Sequence, residues 1–210
     1  MTTIAVLGGT GPQGKGLAAR WAVSGLDVVL GSRDPHRAQT AADEIGVRGA
    51  GNFDAASQAD LVLVAVPYDG HAATIAEVAP AVAGKILIDC VNPLGFDKQG
   101  AYALPVEEGS AAQQAQALLP DSTVVGAFHN VSAVTLEDPE AETVDTDVLV
   151  LGDVREATDL VQDLAGVIPG VRGVFGGRLR NAHQVEALTA NLISVNRRYR
   201  AHAGIRITDI

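Results

Sequence analysis

Short, nearly unbroken apolar runs recur along the chain at Ile4–Leu7, Val28–Leu30, Leu61–Val66, Ile86–Ile88, Val124–Phe128 and Val148–Leu151. Such runs are expected of strands buried on both faces of a parallel sheet. Alanine-rich stretches at Gly14–Val23 and His36–Ile45 separate the early runs and read as helices. This alternation predicts an α/β fold, a Rossmann-like, doubly wound and mainly parallel sheet. Near the end, Val185, Leu188, Leu192, Val195 and Tyr199 fall on one helical face. Asn181 followed by Gln184 resembles a capping pair, and Gly204 reads as the stop. The chain therefore ends in a long helix within a small C-terminal α/β extension. Its periodicity leaves open whether the helix covers the sheet or forms half of a dimer contact. Asn92–Gly109, punctuated by Pro93, Gly95, Gly100 and Pro105, is expected to be the longest irregular loop.

The first strand runs into Gly9-Thr10-Gly11-Pro12-Gln13-Gly14, which opens the first helix. Glycines there permit a tight turn, close approach of backbone to a pyrophosphate, and close helix–sheet packing. The helix start offers free N–H groups and a positive dipole end to phosphates. About 20 residues past this fingerprint, an NAD-binding chain usually carries an acidic ribose ligand. Here Ser32 and Arg33 end the second strand, with Arg37 one helical turn further on. Two guanidiniums and a hydroxyl suit a 2′-phosphate, so the cofactor expected is NADP(H). Residues 1–150 are read as the NADP-binding domain and 151–210 as a segment completing the site.

Composition narrows the class further. Apolar residues make up 47% and aromatics 4%, with 23 glycines, a mixture that favours tight helix-on-sheet packing over an aromatic-rich sandwich. One cysteine, Cys90, excludes an intramolecular disulfide, and no spaced His/Cys set suggests a metal. The start lacks the pattern of a secretory signal and no run is long enough to span a bilayer, so a cytoplasmic protein is expected. A net charge of −10 argues against a nucleic-acid partner. That charge is uneven, because Arg178, Arg180, Arg197, Arg198, Arg200 and Arg206 crowd the end against Glu186 and Asp209. The basic segment reads either as the end of an exposed helix or as a wall facing an anionic ligand.

In open α/β sheets ligands lie beyond the carboxyl ends of the strands. Three such ends are chemically distinctive: Val66-Pro67-Tyr68, Val91-Asn92-Pro93-Leu94 and Phe128-His129-Asn130-Val131-Ser132-Ala133. Tyr68 taken alone reads as a half-buried structural tyrosine, and the Val-Pro step before it favours a ligand-facing turn in which its ring packs on a cofactor. His129 is the acid/base candidate, weighed against a hydrogen-bonded structural role. Ser132 lacks a visible base, and Cys90 reads as a small core hydrophobe. No nucleophilic triad or metal set can be assembled, so no catalytic residue is assigned.

The string Gly8-Gly9-Thr10-Gly11-Pro12-Gln13-Gly14-Lys15-Gly16-Leu17-Ala18, with Gly31-Ser32-Arg33, Val66-Pro67-Tyr68 and Ala127–Ala133, resembles the NADPH-dependent coenzyme F420 reductases. The resemblance covers nearly the whole chain. It implies hydride transfer between NADP(H) and an 8-hydroxy-5-deazaflavin, coenzyme F420. It implies NADP contacts at Thr10, Gly11, Pro12, Gln13, Ser32, Arg33, Arg37, Tyr68 and Ala133, with a less distinctive one near Ala72. The deazaflavin ring is expected near Asn92, Pro93 and Leu94 and near Asn130–Ala133. A homodimer is expected too. Family members can carry Trp for Tyr68 and Lys for Arg37, changes that keep ring and charge.

Two other readings remain open. One is an NADPH-dependent reductase of another small substrate. A short-chain dehydrogenase would need Tyr and Lys four residues apart, yet Tyr68, Tyr102 and Tyr199 are followed at that spacing by Ala72, Val106 and Ala203. A hydroxyacid or pyrroline-carboxylate reductase would need a larger helical domain. The other reading is a non-catalytic NADP(H) sensor, which shares the same turn.

Overall fold

Strands apolar on both faces need cover on both faces, and the alternating helices supply it. In the computed structural model, which describes residues 2–210, the first half runs β1 (Thr3–Leu7), α1 (Pro12–Val23), β2 (Asp27–Ser32), α2 (Pro35–Ile45), β3 (Arg48–Gly51), α3 (Asn52–Gln58) and β4 (Leu61–Val64). It continues with α4 (His71–Val82), β5 (Ile86–Asp89), β6 (Leu94–Asp97), β7 (Gly100–Ala103), α5 (Ala111–Leu118) and β8 (Thr123–Gly126). The last part is α6 (Ala133–Glu137), β9 (Thr146–Gly152), α7 (Arg155–Gly166), β10 (Val171–Gly177) and α8 (Ala182–Tyr199).

Eight strands form one sheet in the order β10-β9-β8-β5-β4-β1-β2-β3. All neighbours pair in parallel except β8 and β9, which meet antiparallel. The expected boundary at residue 150 falls inside β9. Residue parity along β1 divides the core: Ile4 and Val6 pack with Leu17, Trp21 and Leu63, whereas Ala5 and Leu7 pack with Val62, Val64 and Ile75. Strand order reverses between β1, which pairs with β2, and β4, making this the switch point where ligands bind.

Several expectations are corrected. Asn92–Gly109 is not wholly irregular, because β6 and β7 form a hairpin with Leu94 opposite Ala103. The Asp97 carboxylate accepts from the backbone N–H groups of Gln99 and Gly100, closing the turn. The third apolar run ends as a strand at Val64, and its last residues lead into a 3₁₀ turn, Tyr68–Gly70. Asn181 does not cap α8 with its side chain, since the preceding 3₁₀ turn already places it in helical backbone. The helix stops at Tyr199, not at Gly204, through left-handed Arg200.

Candidate functional site

The turn after β1 works through backbone shape. Gly8 has φ +77°, and a Cβ there would lie 2.6 Å from the Ala65 carbonyl oxygen at the end of β4. Only glycine allows both that conformation and that approach. A Cβ on Gly14 would lie 2.9 Å from the Gly8 carbonyl oxygen, so the turn and the start of α1 are pressed together. Pro12 stands in the first turn of α1, and no side chain caps that end, leaving its N–H groups to an anion.

A cavity of about 770 Å³ lies over this turn, bounded by Thr10, Gly11, Ser32, Arg33, Arg37 and Asn52 among others. Asp34 caps α2, accepting from the backbone N–H of His36 at 2.9 Å and of Arg37 at 3.4 Å. That cap fixes the turn carrying Arg37. Arg33 and Arg37 are exposed, and neither joins an ion pair among the described residues. Asn52 is 2% exposed, and its Oδ1 lacks a hydrogen-bond partner. Glycine cradle, helix start and two free guanidiniums fit a phosphorylated dinucleotide.

The other candidates occupy the neighbouring strand ends rather than the cavity wall. Gln13 donates to the Phe128 carbonyl oxygen at 3.2 Å, tying the fingerprint to the end of β8. Phe128 holds φ +63° although it is buried, with its ring edge-on to Trp21 at 5.5 Å. Left-handed backbone at a large residue is strained, so the surrounding packing must hold it there. Pro93 borders a second cavity of about 240 Å³, shared with Leu104, Pro105, His183 and Glu186. Ala133 starts α6, with Ser132 as its cap. Ala72 is exposed on α4.

Asn92 and His129 hold each other. The Asn92 amide donates to the His129 carbonyl oxygen at 2.9 Å, and its Oδ1 lies 3.2 Å from His129 Nδ1. Thr189 on α8 donates to the same carbonyl at 2.9 Å. His129 is 3% exposed, and its Nε2 has no partner among the described residues. Burial pushes its pKa down to about 4, so the imidazole is neutral at physiological pH. Asn130 is buried as well and donates to the Asp147 carbonyl oxygen at 2.8 Å.

Sequence reasoning missed a buried polar cluster behind Tyr68. His71 Nε2 lies 2.6 Å from Asp89 Oδ2 with both side chains fully buried, and His71 Nδ1 lies 3.0 Å from Gln114 Oε1. Nearby, Glu186 of α8 accepts from the N–H groups of Ala111 and Ala112 at the start of α5. Burial raises Glu186 to about 7 despite those bonds. Asp89 ends the apolar run Ile86–Ile88, and a carboxylate at the end of a buried strand calls for a partner, which was the available signal.

Comparison with known proteins now decides the family. Residues 3–93 match the family model described as NADP oxidoreductase, coenzyme F420-dependent. An F420-dependent NADP reductase of Methanothermobacter marburgensis is 41% identical over 99% of this chain and 98% of its own. The chain belongs to the F420-dependent NADP reductase family. A second such reductase, from Methanocaldococcus jannaschii, is 38% identical over 99% of this chain and 98% of its own. A crystal structure from Arthrobacter sp. FB24, assigned to F420-dependent NADP reductases, superposes with TM-score 0.83 at 28% identity over the whole of both chains.

The C-terminal arginines of this reductase divide into two groups. Arg206 pairs with Asp145 and Asp147, and Arg172 from β10 grips Asp147 through two bonds of 2.8 and 2.7 Å. Their guanidiniums hold the Asp147 carboxyl well below the usual carboxylate range. Arg206 is therefore a structural clamp on the C-terminal tail and not part of a basic wall. Arg178 lies 3.6 Å from Asp153, whereas Arg180, Arg197, Arg198 and Arg200 are exposed.

Proposed function

We propose that the 770 Å³ cavity holds NADP(H) with its 2′-phosphate between Arg33, Arg37 and Ser32. Its pyrophosphate would lie across Thr10, Gly11, Pro12 and Gln13, and its nicotinamide toward Tyr68 and Ala133. The deazaflavin ring of coenzyme F420 would lie beside Asn92, Pro93, Leu94 and Asn130–Ala133, completed by residues 151–210. The reaction is hydride transfer between NADP(H) and coenzyme F420, as the family implies. The two cofactors supply the hydride chemistry when bound. The chain binds, aligns and dries them. Phe128 and Asn92 fix the turn that carries His129, and the small, partly exposed Ser132 and Ala133 leave room for flat rings, whereas Gly126 and Ala127 are buried in the protein. His129, neutral and bonded to Asn92, is a hydrogen-bonding wall and not an acid.

The observation that carries this reading is the pair of unpaired guanidiniums beside a turn only glycine can make. Its test mixes protein, NADPH and oxidised coenzyme F420 and follows the deazaflavin absorbance. Bleaching supports the reductase, and a flat trace supports an NADP(H) sensor. We also infer a homodimer. Its support is the second half of α8, where Val195 is 37% and Tyr199 74% exposed on the apolar face, together with Phe96 at 69% on the hairpin.

A further inference from the structure

His71 and Asp89 take no part in the cofactor contacts assigned above, yet they are completely buried behind two of the turns that make them. Polarity fixes their arrangement. Gln114 donates its amide N–H to Glu108 at 3.2 Å, so its Oε1 faces His71 Nδ1 as an acceptor. Asp89 Oδ2 is the acceptor at Nε2. Both ring nitrogens therefore donate, and His71 is an imidazolium. The other Asp89 oxygen accepts from the Val91 N–H at 3.0 Å, which sets the turn into Asn92 and Pro93. The His71 ring also stacks face to face with Tyr68, with centroids 6.2 Å apart and planes 29° from parallel.

We propose that His71 and Asp89 are positioning residues for hydride transfer, a buried strut that fixes the Tyr68 ring and the Asn92 turn in one mutual arrangement. Tyr68 lies in the turn that follows β4 and Asn92 in the turn that follows β5, neighbouring strands in the sheet. A strut between them sets how a ring lying on Tyr68 meets a ring lying against Asn92 and His129. Hydride transfer depends steeply on that spacing, whereas binding of the distant 2′-phosphate does not. The inference rests on the assignment of Tyr68 to the nicotinamide end.

The test compares whole-chain variants in single-turnover hydride transfer from NADPH to coenzyme F420, with NADPH affinity measured separately by fluorescence. His71→Asn/Asp89→Asn leaves no bare buried carboxylate and so separates positioning from folding. It is expected to slow transfer by about tenfold or more, with NADPH affinity within about threefold of wild type. Asp89→Asn alone keeps both hydrogen bonds once His71 becomes the neutral Nδ1–H tautomer, and should transfer hydride within about threefold of wild type. A readout independent of turnover is ¹⁵N NMR of His71 in the cofactor-free protein. Two protonated nitrogens are expected in wild type and one in Asp89→Asn; a single protonated nitrogen in wild type overturns the strut as described.

Tyr68→Ala separates the two levels of the argument. If Tyr68→Ala transfers hydride at the wild-type rate, the assignment of Tyr68 falls and the strut with it. If Tyr68→Ala is slow while His71→Asn/Asp89→Asn is fast, the assignment stands and the strut is refuted. If both are slow, combining all three substitutions must cost little more than either set. Fully additive losses would show that His71 and Asp89 act by another route, and would also refute the strut.

Discussion

Replacing Arg33 by alanine isolates the 2′-phosphate contact because the guanidinium has nothing else to lose. It is exposed and joins no hydrogen bond or ion pair among the described residues, so the fold gives up no contact. A charge-assisted hydrogen bond contributes about 1.5–3 kcal/mol. Exposure to solvent places Arg33 toward the lower end, because water screens the pair in the free and bound states alike. The expected loss is therefore about 1.5–2 kcal/mol, roughly tenfold to thirtyfold in NADPH affinity. NADH lacks the phosphate and should bind wild type and Arg33→Ala with equal affinity. Titration calorimetry with both nucleotides reads this directly, and 2′-phospho-AMP provides a probe without the nicotinamide. The loss should shrink as salt rises from about 0.05 to 0.5 M, over which screening lengths fall by about threefold. Equal losses for NADPH and NADH would place Arg33 away from the 2′-phosphate and refute the cofactor assignment. A lowered melting temperature would refute the premise that Arg33 supports nothing in the fold.

Four further outcomes are expected. His129→Asn should slow single-turnover transfer by less than the ~10²-fold that general acid catalysis is worth, and the wild-type profile should carry no ionisation of this residue between about pH 5.5 and 8. Glu186→Gln should lower the urea midpoint at pH 4, because the amide can accept from only one of the Ala111 and Ala112 N–H groups, and should remove the part of the fall in stability above about pH 4.5 that this carboxyl causes. The folded pKa of about 7 lies above the unfolded value, so the carboxylate costs stability that grows from about pH 4.5 upward, to an upper bound of ~3 kcal/mol. Asp147→Asn should destabilise the protein by ~2–4 kcal/mol at pH 7. Its folded pKa is depressed, so that contribution is present above about pH 4 and fades as pH falls further, and denaturation curves of wild type and variant should converge in acid. Gly8→Ala should cost at least ~2 kcal/mol from strained backbone and the clash with Ala65, read as a lower melting temperature and lost NADPH binding.

The parallel sheet was legible because its central strands are apolar on both faces, and the phosphate turn because its glycines obey a steric rule visible in one dimension. The edge strands were not. In β3, Arg-Gly-Ala-Gly, and β10, Val-Arg-Gly-Val-Phe-Gly-Gly, glycines take the place of apolar side chains so that α2 and α7 can approach the backbone. A Cβ on Gly49 would lie 2.5 Å from Gln39 backbone, and one on Gly173 2.4 Å from Gln162 backbone. Close packing thus erased the hydrophobic signal used to find strands. Within the site, Ser32, Arg33 and Arg37 were legible from charge and spacing. His71, Asp89 and Glu186 were not, since they meet from α4, β5 and α8 and their partnership exists only once the sheet has formed.

The antiparallel junction gives the sheet edge a stepped outline. Leu151 of β9 pairs with Gly126, the last residue of β8, and β9 begins back at Thr146. At about 3.4 Å per residue, Thr146–Val150 therefore project ~17 Å past the end of β8. β10 runs alongside from Val171, and Arg172 and Arg206 bind the projecting Asp147 to the tail. The ligand shelf is consequently a bench with one arm. Its β3 end is open above Arg33 and Arg37, while the opposite end is closed by a rampart of paired backbone rather than a loop. The projecting strand is itself packed, with Val148 and Val150 buried in the same core cluster as Trp21 and Phe128, so that end of the sheet is rigid where the β3 end is exposed.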